Sequence, residues 1–347
     1  MSEKIYVLSP YYNTGGPKSL HQLANILIDQ GKNVYMVYYA SGKPYTAEKV
    51  LFDFCKAEIA KSVEDNAQNA VITSEYYSGL ILQYKNIKKY IWWLSLDFYL
   101  QNRLYYRSYF SLRNKGLPVV FTPLVMMYKK LLNKDQRASV SYLKDKKDFQ
   151  TIYHMYNCEY AHQYLIKKGV PEERMHYLCG PLEESYLNPD RNAILAGKKN
   201  IVVYNPAKIN ESFLKKIQTA VKHKSLDIAW IPIKNMSRAE VYETICKAKV
   251  YIDFGYFPGP ERMPREAASL YCNLITSNIG SAENKWDVPI PQEYKFGIKD
   301  KNVNKIATLI CDMCVNFESY TEQFEQYRTK VKKQILGFEN DVKEIFL

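Results

Sequence analysis

Along this chain short continuous apolar runs alternate with stretches of helical period. Lys4–Ser9 is such a run, 10–17 is rich in turn residues, and an expected helix over Lys18–Gln30 puts Leu20, Leu23, Ala24, Leu27 and Ile28 on one face. Gly31 closes that helix, and Asn33–Tyr39 is the next expected strand. The alternation goes on with strands expected over 70–73, 89–94, 150–156 and 176–178. Helices are expected over 49–62, up to 83, over 98–113 and from 157 to 169. A second series opens at Asn200, with strands expected over 201–205, 227–231, 250–254 and 273–276. Its expected helices cover 211–223, 238–247, a stretch starting at Pro264, then 301–317 and 318–346. Continuous apolar strands separated by amphipathic helices predict an α/β protein with parallel sheets. The pattern divides into a domain over 1–183, a polar linker over 184–199, a domain over 200–317, and a C-terminal helix over 318–347 long enough to cross back to the first domain.

The most informative stretch is 250–283, VYIDFGYFPGPERMPREAASLYCNLITSNIGSAE. A strand ends at Gly255, a loop with Pro258, Gly259 and Pro260 follows, and a helix is expected to open at Pro264 with Arg265 and Glu266 in its first turn. Glycine backbone, Arg262, Arg265 and a helix N-terminus thus meet at the C-terminal end of a strand, where open α/β sheets bind ligands. This chemistry suits an anionic group: the helix dipole contributes about 0.3–1 kcal/mol and each arginine–phosphate hydrogen bond about 1.5–3 kcal/mol before desolvation. Read singly, the arginines are also ordinary solvated charges and Glu266 an ordinary dipole partner.

The first domain offers other candidates. Gly15 and Gly16 follow the first strand, as a tight turn or as a place where backbone approaches a ligand, without the G-x-G-x-x-G or Walker pattern. His21 lies one turn into the following helix. Asp97 follows the strand 89–94 at the edge where a base or an acceptor-binding carboxylate belongs, or serves as a helix N-cap. Glu75 has the equivalent place one strand earlier.

PREAASLYCNLITSNIGSAE (264–283) resembles the nucleotide-sugar loop of GT-B glycosyltransferases, above all the large retaining family 4 group. YNCEYAHQYLIKKGVPEERMHYLCGPL (156–182) resembles the last β-α-β unit of their N-terminal domains, and the run 251–283 is similar to bacterial polysaccharide-biosynthesis glycosyltransferase-like proteins. The resemblance implies two Rossmann-like domains facing across a cleft, the first on the acceptor side and the second holding the donor. It implies transfer of a sugar from a nucleotide-diphosphate sugar to a bacterial surface glycan (lipopolysaccharide or capsule) or a lipid-linked acceptor, with retention of configuration favoured. Glu266 matches the second acid of the family's Glu–seven residues–Glu motif and would hold the nucleotide ribose. Gly280 and Ser281 fall at the family's Gly-Gly turn, and Lys208 where a cation holds the donor diphosphate. Arg262 and Arg265 would then stabilise the departing diphosphate, Arg265 as a catalytic group beside His21 and Asp97. The first acid of the motif would fall at Pro258, and Glu261 is acidic at a different spacing. That departure weakens the lean towards retention, and inversion would need a base such as Asp97. A GT-B nucleotide-sugar epimerase or a polyol-phosphate transferase is the near alternative, and a non-catalytic basic protein binding nucleic acid or anionic glycan the distant one.

Composition narrows these readings. A formal net charge of +12 favours phosphorylated substrates, anionic lipid or polyanions, with nucleic acid the least expected partner. The 31 tyrosines reflect base composition of the genome more than a stacking surface. From Tyr99 to Lys147 arginine and lysine interleave with tyrosine, including Arg103, Arg107, Arg113, Lys129, Lys130 and Lys134, which suits an anionic membrane surface or a solvated helix face. Seven cysteines without a paired framework, and an N-terminus that reads as a strand, point to the cytoplasm or the inner face of its membrane. Cys311-x-x-Cys314 sits in an apolar helical run and is expected to pack rather than bind metal. No Asp-x-Asp occurs, which argues against the metal-dependent GT-A class, so no metal or cofactor is expected beyond the nucleotide sugar.

Overall fold

The computed structural model describes residues 3–132 and 142–346; Lys134, one of the basic residues expected at a lipid surface, lies outside them. The chain divides into two compact units, Met1–Ser108 with Phe121–Gly180 and Gly337–Leu347, and Tyr109–Val120 with Pro181–Leu336. The stretch 184–199, read as a linker, carries a helix at Arg191–Ala196, capped by the Asp190 carboxylate, and belongs to the second unit.

Among the described residues the first unit holds an eight-stranded sheet. Its strands are β1 (Lys4–Pro10), β2 (Asn33–Ala40), β3 (Lys43–Pro44), β4 (Glu58–Ile59), β5 (Ala70–Ser74), β6 (Lys88–Trp93), β7 (Tyr153–Tyr156) and β8 (Met175–Tyr177). The main order is β2-β1-β5-β6-β7-β8, with β4 pairing β2 in parallel and β3 folding back on β2. Val7 lies opposite Met36 on one side and Ile72 on the other. Neighbouring β1 and β5 lead the chain away in opposite directions, which makes the edge beyond their C-terminal ends the switch point of this sheet. The helix Gly15–Asp29 buries Leu20, Leu23, Ala24 and Leu27 in the core, and each leucine stabilises by about 1.5–3 kcal/mol. Phe338, Val342 and Phe346, from the end of the last helix Glu325–Phe346, pack in the same core.

Over 49–62, where a helix was expected, turns and β4 form instead. The side chain of Asn25 donates to Phe54 O at 2.8 Å and accepts from Lys56 N at 2.8 Å, while Leu51 N donates to the Tyr38 hydroxyl at 2.9 Å. Side chains satisfy the backbone groups that a helix would have used. The strand expected from 150 starts at Tyr153, because a short helix occupies Lys146–Thr151.

The second unit has a wholly parallel sheet of β9 (Lys199–Tyr204), β10 (Ala229–Pro232), β11 (Ala248–Asp253), β12 (Asn273–Ser277) and β13 (Lys295–Phe296), ordered β10-β9-β11-β12-β13 among the described residues. Tyr251 lies opposite Val203 and Leu274. Its switch point falls between β9 and β11. Lys198 Nζ, just before β9, donates to the carbonyls of Ala248 at 2.6 Å and Leu270 at 2.7 Å, tying together the opposite edge of the sheet. Cys311 and Cys314 are buried in the core on the helix Val303–Val315.

Candidate functional site

At the switch point of the second unit, Lys208 follows β9 and meets the chain leaving β11. A Cβ on Gly255 would stand 2.6 Å from Lys208 Cβ and 2.9 Å from its carbonyl oxygen, so glycine is required for this approach. The Lys208 ammonium pairs with the Glu261 carboxylate, donates to Tyr256 O at 3.3 Å, and sits 5.3 Å from the centre of the Tyr256 ring. Asp253 completes the group: it accepts from Gly255 N at 3.0 Å and from the Tyr251 hydroxyl at 2.9 Å. Burial alone would lower the Lys208 ammonium, but the carboxylates of Glu261 and Asp253 outweigh it and hold it above the ordinary lysine range. Burial pushes both carboxyls up, with Lys208 pulling each back. One ammonium between the buried Asp253 and the half-buried Glu261 leaves an excess negative charge, so this cluster takes up a proton more readily than ordinary acids.

The next helix begins at Arg262, with Glu261 as its N-cap residue, two residues before the expected start. Pro264 is tolerated in the first turn because the first four N–H groups of a helix have no acceptor within it. Glu266 is 1% exposed and takes Arg262 Nη2 at 3.4 Å and Arg238 Nη1 at 3.6 Å on one carboxylate oxygen. Arg262 Nη2 also reaches Glu183 at 3.3 Å, while its Nε is buried without a hydrogen-bond partner. Arg265 turns the other way. It is 4% exposed, and its guanidinium donates to Glu261 O and to Gln334 Oε1, each at 3.4 Å. Expected as a catalytic group beside the leaving diphosphate, it is placed inside the unit, bracing the loop that carries Glu261.

Gly280 has φ +62°, and a Cβ there would stand 2.1 Å from Phe257 O. Ser281 N donates to that same carbonyl at 2.8 Å, and Ser281 Oγ to Gly259 O at 2.7 Å. The donor-contacting pair expected from sequence therefore clasps the loop 257–259, with both Ser281 donors occupied. Asp253 and Glu261 were not among the expected site residues. The signal for Asp253 was its place at the end of a buried strand, and for Glu261 the helix N-cap position.

In the first unit Gly15 and Gly16 are the first turn of the helix Gly15–Asp29 rather than a loop. Neither has a positive φ. A Cβ at Gly15 would meet nothing within 4 Å, and one at Gly16 would touch Leu94 Cδ1 at an ordinary 3.7 Å. His21, expected as a catalytic group, is placed in the core instead. It is buried, Nδ1 lies 2.7 Å from Pro17 O and Nε2 2.8 Å from the Tyr38 hydroxyl. The carbonyl requires a proton on Nδ1, so Nε2 accepts from Tyr38 and no nitrogen is left for a substrate. Burial holds this imidazole below the usual histidine range.

Asp97 is not an N-cap; Ser95 holds that position, and Asp97 lies buried in the helix Leu96–Leu100, accepting from the Tyr160 hydroxyl at 2.9 Å. Glu75 is the more responsive acid. Burial pushes its carboxyl up to about 7, against the pull of the amides of Leu94, Ser95 and Glu75 itself. Its Oε2 accepts from Leu94 N at 2.9 Å, and Asn157 Nδ2 donates to Leu94 O at 2.9 Å, so the peptide leaving β6 is held from both sides. Thr73 Oγ1, Ser95 Oγ and Asn157 Oδ1, near the C-terminal ends of β5, β6 and β7, are buried without a hydrogen-bond partner.

Among the described residues no group of three or more His, Cys, Asp or Glu is arranged to hold a metal ion. The two units thus offer a cation held between acids, an arginine–glutamate pair at a helix start, a buried acid after β5 with a pKa pushed up to about 7, and two unhindered glycines after β1.

No family model matches the sequence, and no curated protein does. Solved structures do match over nearly the whole chain. Sucrose-phosphate synthase of Thermosynechococcus elongatus superposes with a TM-score of 0.58 at 11% identity, covering 99% of this chain and 97% of its own. HepE of Anabaena, in complex with UDP, gives 0.58 at 9% identity and 99% of both chains. WaaG, a glycosyltransferase involved in lipopolysaccharide biosynthesis, gives 0.54 at 12% identity and 99% of both. At these identities the likeness establishes architecture: the chain has the GT-B fold, built from two Rossmann-like α/β units.

Proposed function

We propose that this protein transfers a sugar from a nucleotide-diphosphate sugar to a glycan or lipid-linked acceptor. The observation that carries the reading is the Lys208 cluster at the switch point of the donor-side sheet, within a chain of GT-B fold. Lys208 is the cation for the diphosphate. Glu261 holds it in place, and an arriving diphosphate displaces Glu261, whose raised pKa lets it take a proton and leave the ammonium to the ligand. Glu266 takes the ribose, and Arg262, tethered to it, contributes its buried Nε donor to the leaving group. Arg265 acts as a positioning residue, through Glu261. On the acceptor side Glu75 and the Gly15–Gly16 turn receive the acceptor hydroxyl.

Retention of configuration fits the resemblance, and it fits Asp97 being buried with one carboxylate oxygen engaged by the Tyr160 hydroxyl. A bacterial surface polysaccharide is the acceptor class that the resemblance favours. UDP is the first nucleotide to test, since HepE was solved with it.

Thermal unfolding with UDP, GDP, CMP, ADP and dTDP and their sugar conjugates tests the reading. A ligand at about a hundred times its Kd stabilises the folded state by about 2.7 kcal/mol. A shift with one base, lost in Lys208→Gln, is expected. Stabilisation only by generic polyanions, falling steeply with salt, would replace this reading with that of a basic binding protein. Consumption of nucleotide sugar with no acceptor would point to epimerisation, and proton NMR of the product's anomeric proton decides retention.

A further inference from the structure

The helix Thr122–Leu131 in the first unit turns its apolar face outward. Leu124, Met127, Tyr128 and Leu131 are 62, 58, 62 and 79% exposed, at the i, i+3, i+4, i+7 positions of one stripe. Exposed Phe121 and Leu132 extend it at either end. The sheltered side is mixed: Thr122 is buried, Val125 and Met126 are half-buried, and Lys129, also half-buried, donates to Arg107 O at 3.2 Å. Scattered exposed apolar residues are ordinary; a row of them along one helix face marks an interaction surface.

Charge identifies the partner. From 98 to 134 the chain carries arginine or lysine at 103, 107, 113, 115, 129, 130 and 134 and no acidic residue at all. Exposed Lys130 borders the stripe. A second copy seated face to face on this helix would bring like charges together, whereas an anionic lipid surface meets both features at once. Ten residues span about 15 Å, too short to cross a bilayer, and no described helix is long and apolar enough to do so.

We propose that Thr122–Leu131 docks on an anionic bilayer, lying in the plane of the interface with Leu124, Met127, Tyr128 and Leu131 at the boundary between headgroups and acyl chains. The inference sharpens the expectation of a basic, aromatic lipid-facing region. Tyr99 and Phe110 in that region are buried, and the Tyr99 hydroxyl donates to Leu143 O at 2.6 Å, so the contact falls to the apolar stripe instead. It stands on this helix alone and holds whichever nucleotide the second unit binds.

Co-sedimentation of the full chain tests it, with vesicles of phosphatidylcholine alone and of phosphatidylcholine mixed equally with phosphatidylglycerol. Binding is expected to the mixed vesicles and to weaken with salt. Leu124→Gln with Leu131→Gln should reduce it by about tenfold or more while thermal unfolding stays unchanged, because both side chains are exposed. Lys130→Gln should reduce it about fivefold, the factor that matches about 1 kcal/mol per basic residue near the surface. The proposal fails if the double variant binds like the parent, or if both vesicle types bind equally. It also fails if no vesicle binds and the double variant instead abolishes a concentration-dependent dimer, which would make the face a contact between copies.

Discussion

The two sheet edges solve the same problem differently. In the second unit charge is paired with charge near the switch point: Lys208 has Glu261, and Glu266 has Arg262 and Arg238. Its glycines are demanded by the protein itself, Gly255 by Lys208 and Gly280 by Phe257. In the first unit Glu75 is held by backbone amides rather than by a cation, and neither Gly15 nor Gly16 is required by φ or by crowding. One edge is organised in advance by contacts that also hold the fold, and the other has features the fold does not need. Substitutions should therefore couple stability and binding in the second unit and separate them in the first.

The largest effect is expected at Lys208. Lys208→Ala leaves the buried Asp253 and the half-buried Glu261 without their ammonium, at about 3 kcal/mol near neutral pH, the low end for a buried pair. Because burial raises both carboxyls, the deficit should shrink as pH falls and they become neutral. Urea denaturation of parent and variant across the acid range measures it, and a deficit independent of pH would break the account of the cluster. Gly280→Ala comes next. It sets a methyl 2.1 Å from a carbonyl oxygen at a left-handed φ, and the turn must release the loop 257–259, at about 2–4 kcal/mol. A variant of parental stability would show that Gly280 does not clasp that loop.

Much of this was legible in the chain. Both α/β sheets follow from continuous runs such as AVITS in β5 and NLITS in β12, which are buried at every residue. The places of Lys208 after β9 and Glu75 after β5 were legible too, because position on a parallel sheet is set by local pattern. What escaped was set by distant partners. Nothing near His21 announces that Tyr38 will cap its ring, and nothing near Asp97 announces Tyr160, 63 residues away. Glu261 falls outside the family spacing, and the helix start that brings it to Lys208 depends on Pro264 sitting third in the helix rather than first. The helix expected over 49–62 failed for a related reason, since Asn25 and Tyr38 supply hydrogen bonds from elsewhere in the chain.

Glu75 sharpens the comparison through pH. Its folded pKa of about 7 lies above the ordinary value of 4.5, so the folded state keeps a proton that the unfolded chain gives up between those values. Stability should then fall as pH rises across that window and level off above it. Glu75→Gln removes the cost: the variant should match the parent near pH 4 and exceed its stability by up to about 3 kcal/mol near pH 8. Denaturation at the two pH values checks this, and sugar transfer should fall in the same variant if the carboxylate receives the acceptor. Equal stability at both would mean that Glu75 titrates like an exposed acid.

The smallest expected effect on stability divides the two edges most cleanly. Gly16 is the second residue of a helix, with ordinary φ and room for a methyl beside Leu94. Alanine there restricts the unfolded chain without straining the folded one, so Gly16→Ala should stabilise the protein by about 0.4–1 kcal/mol. If a ligand's approach is the reason for glycine, the same substitution should depress transfer while leaving the nucleotide-induced thermal shift in place, because that shift belongs to the second unit. The opposite pattern is as informative. A variant that is more stable and fully active would make the Gly15–Gly16 turn an ordinary helix start, leaving Glu75 to carry the acceptor side alone. Measuring unfolding, nucleotide binding and transfer on this one variant distinguishes these outcomes, since stability should rise in either case and only a ligand-contacting role would lower transfer.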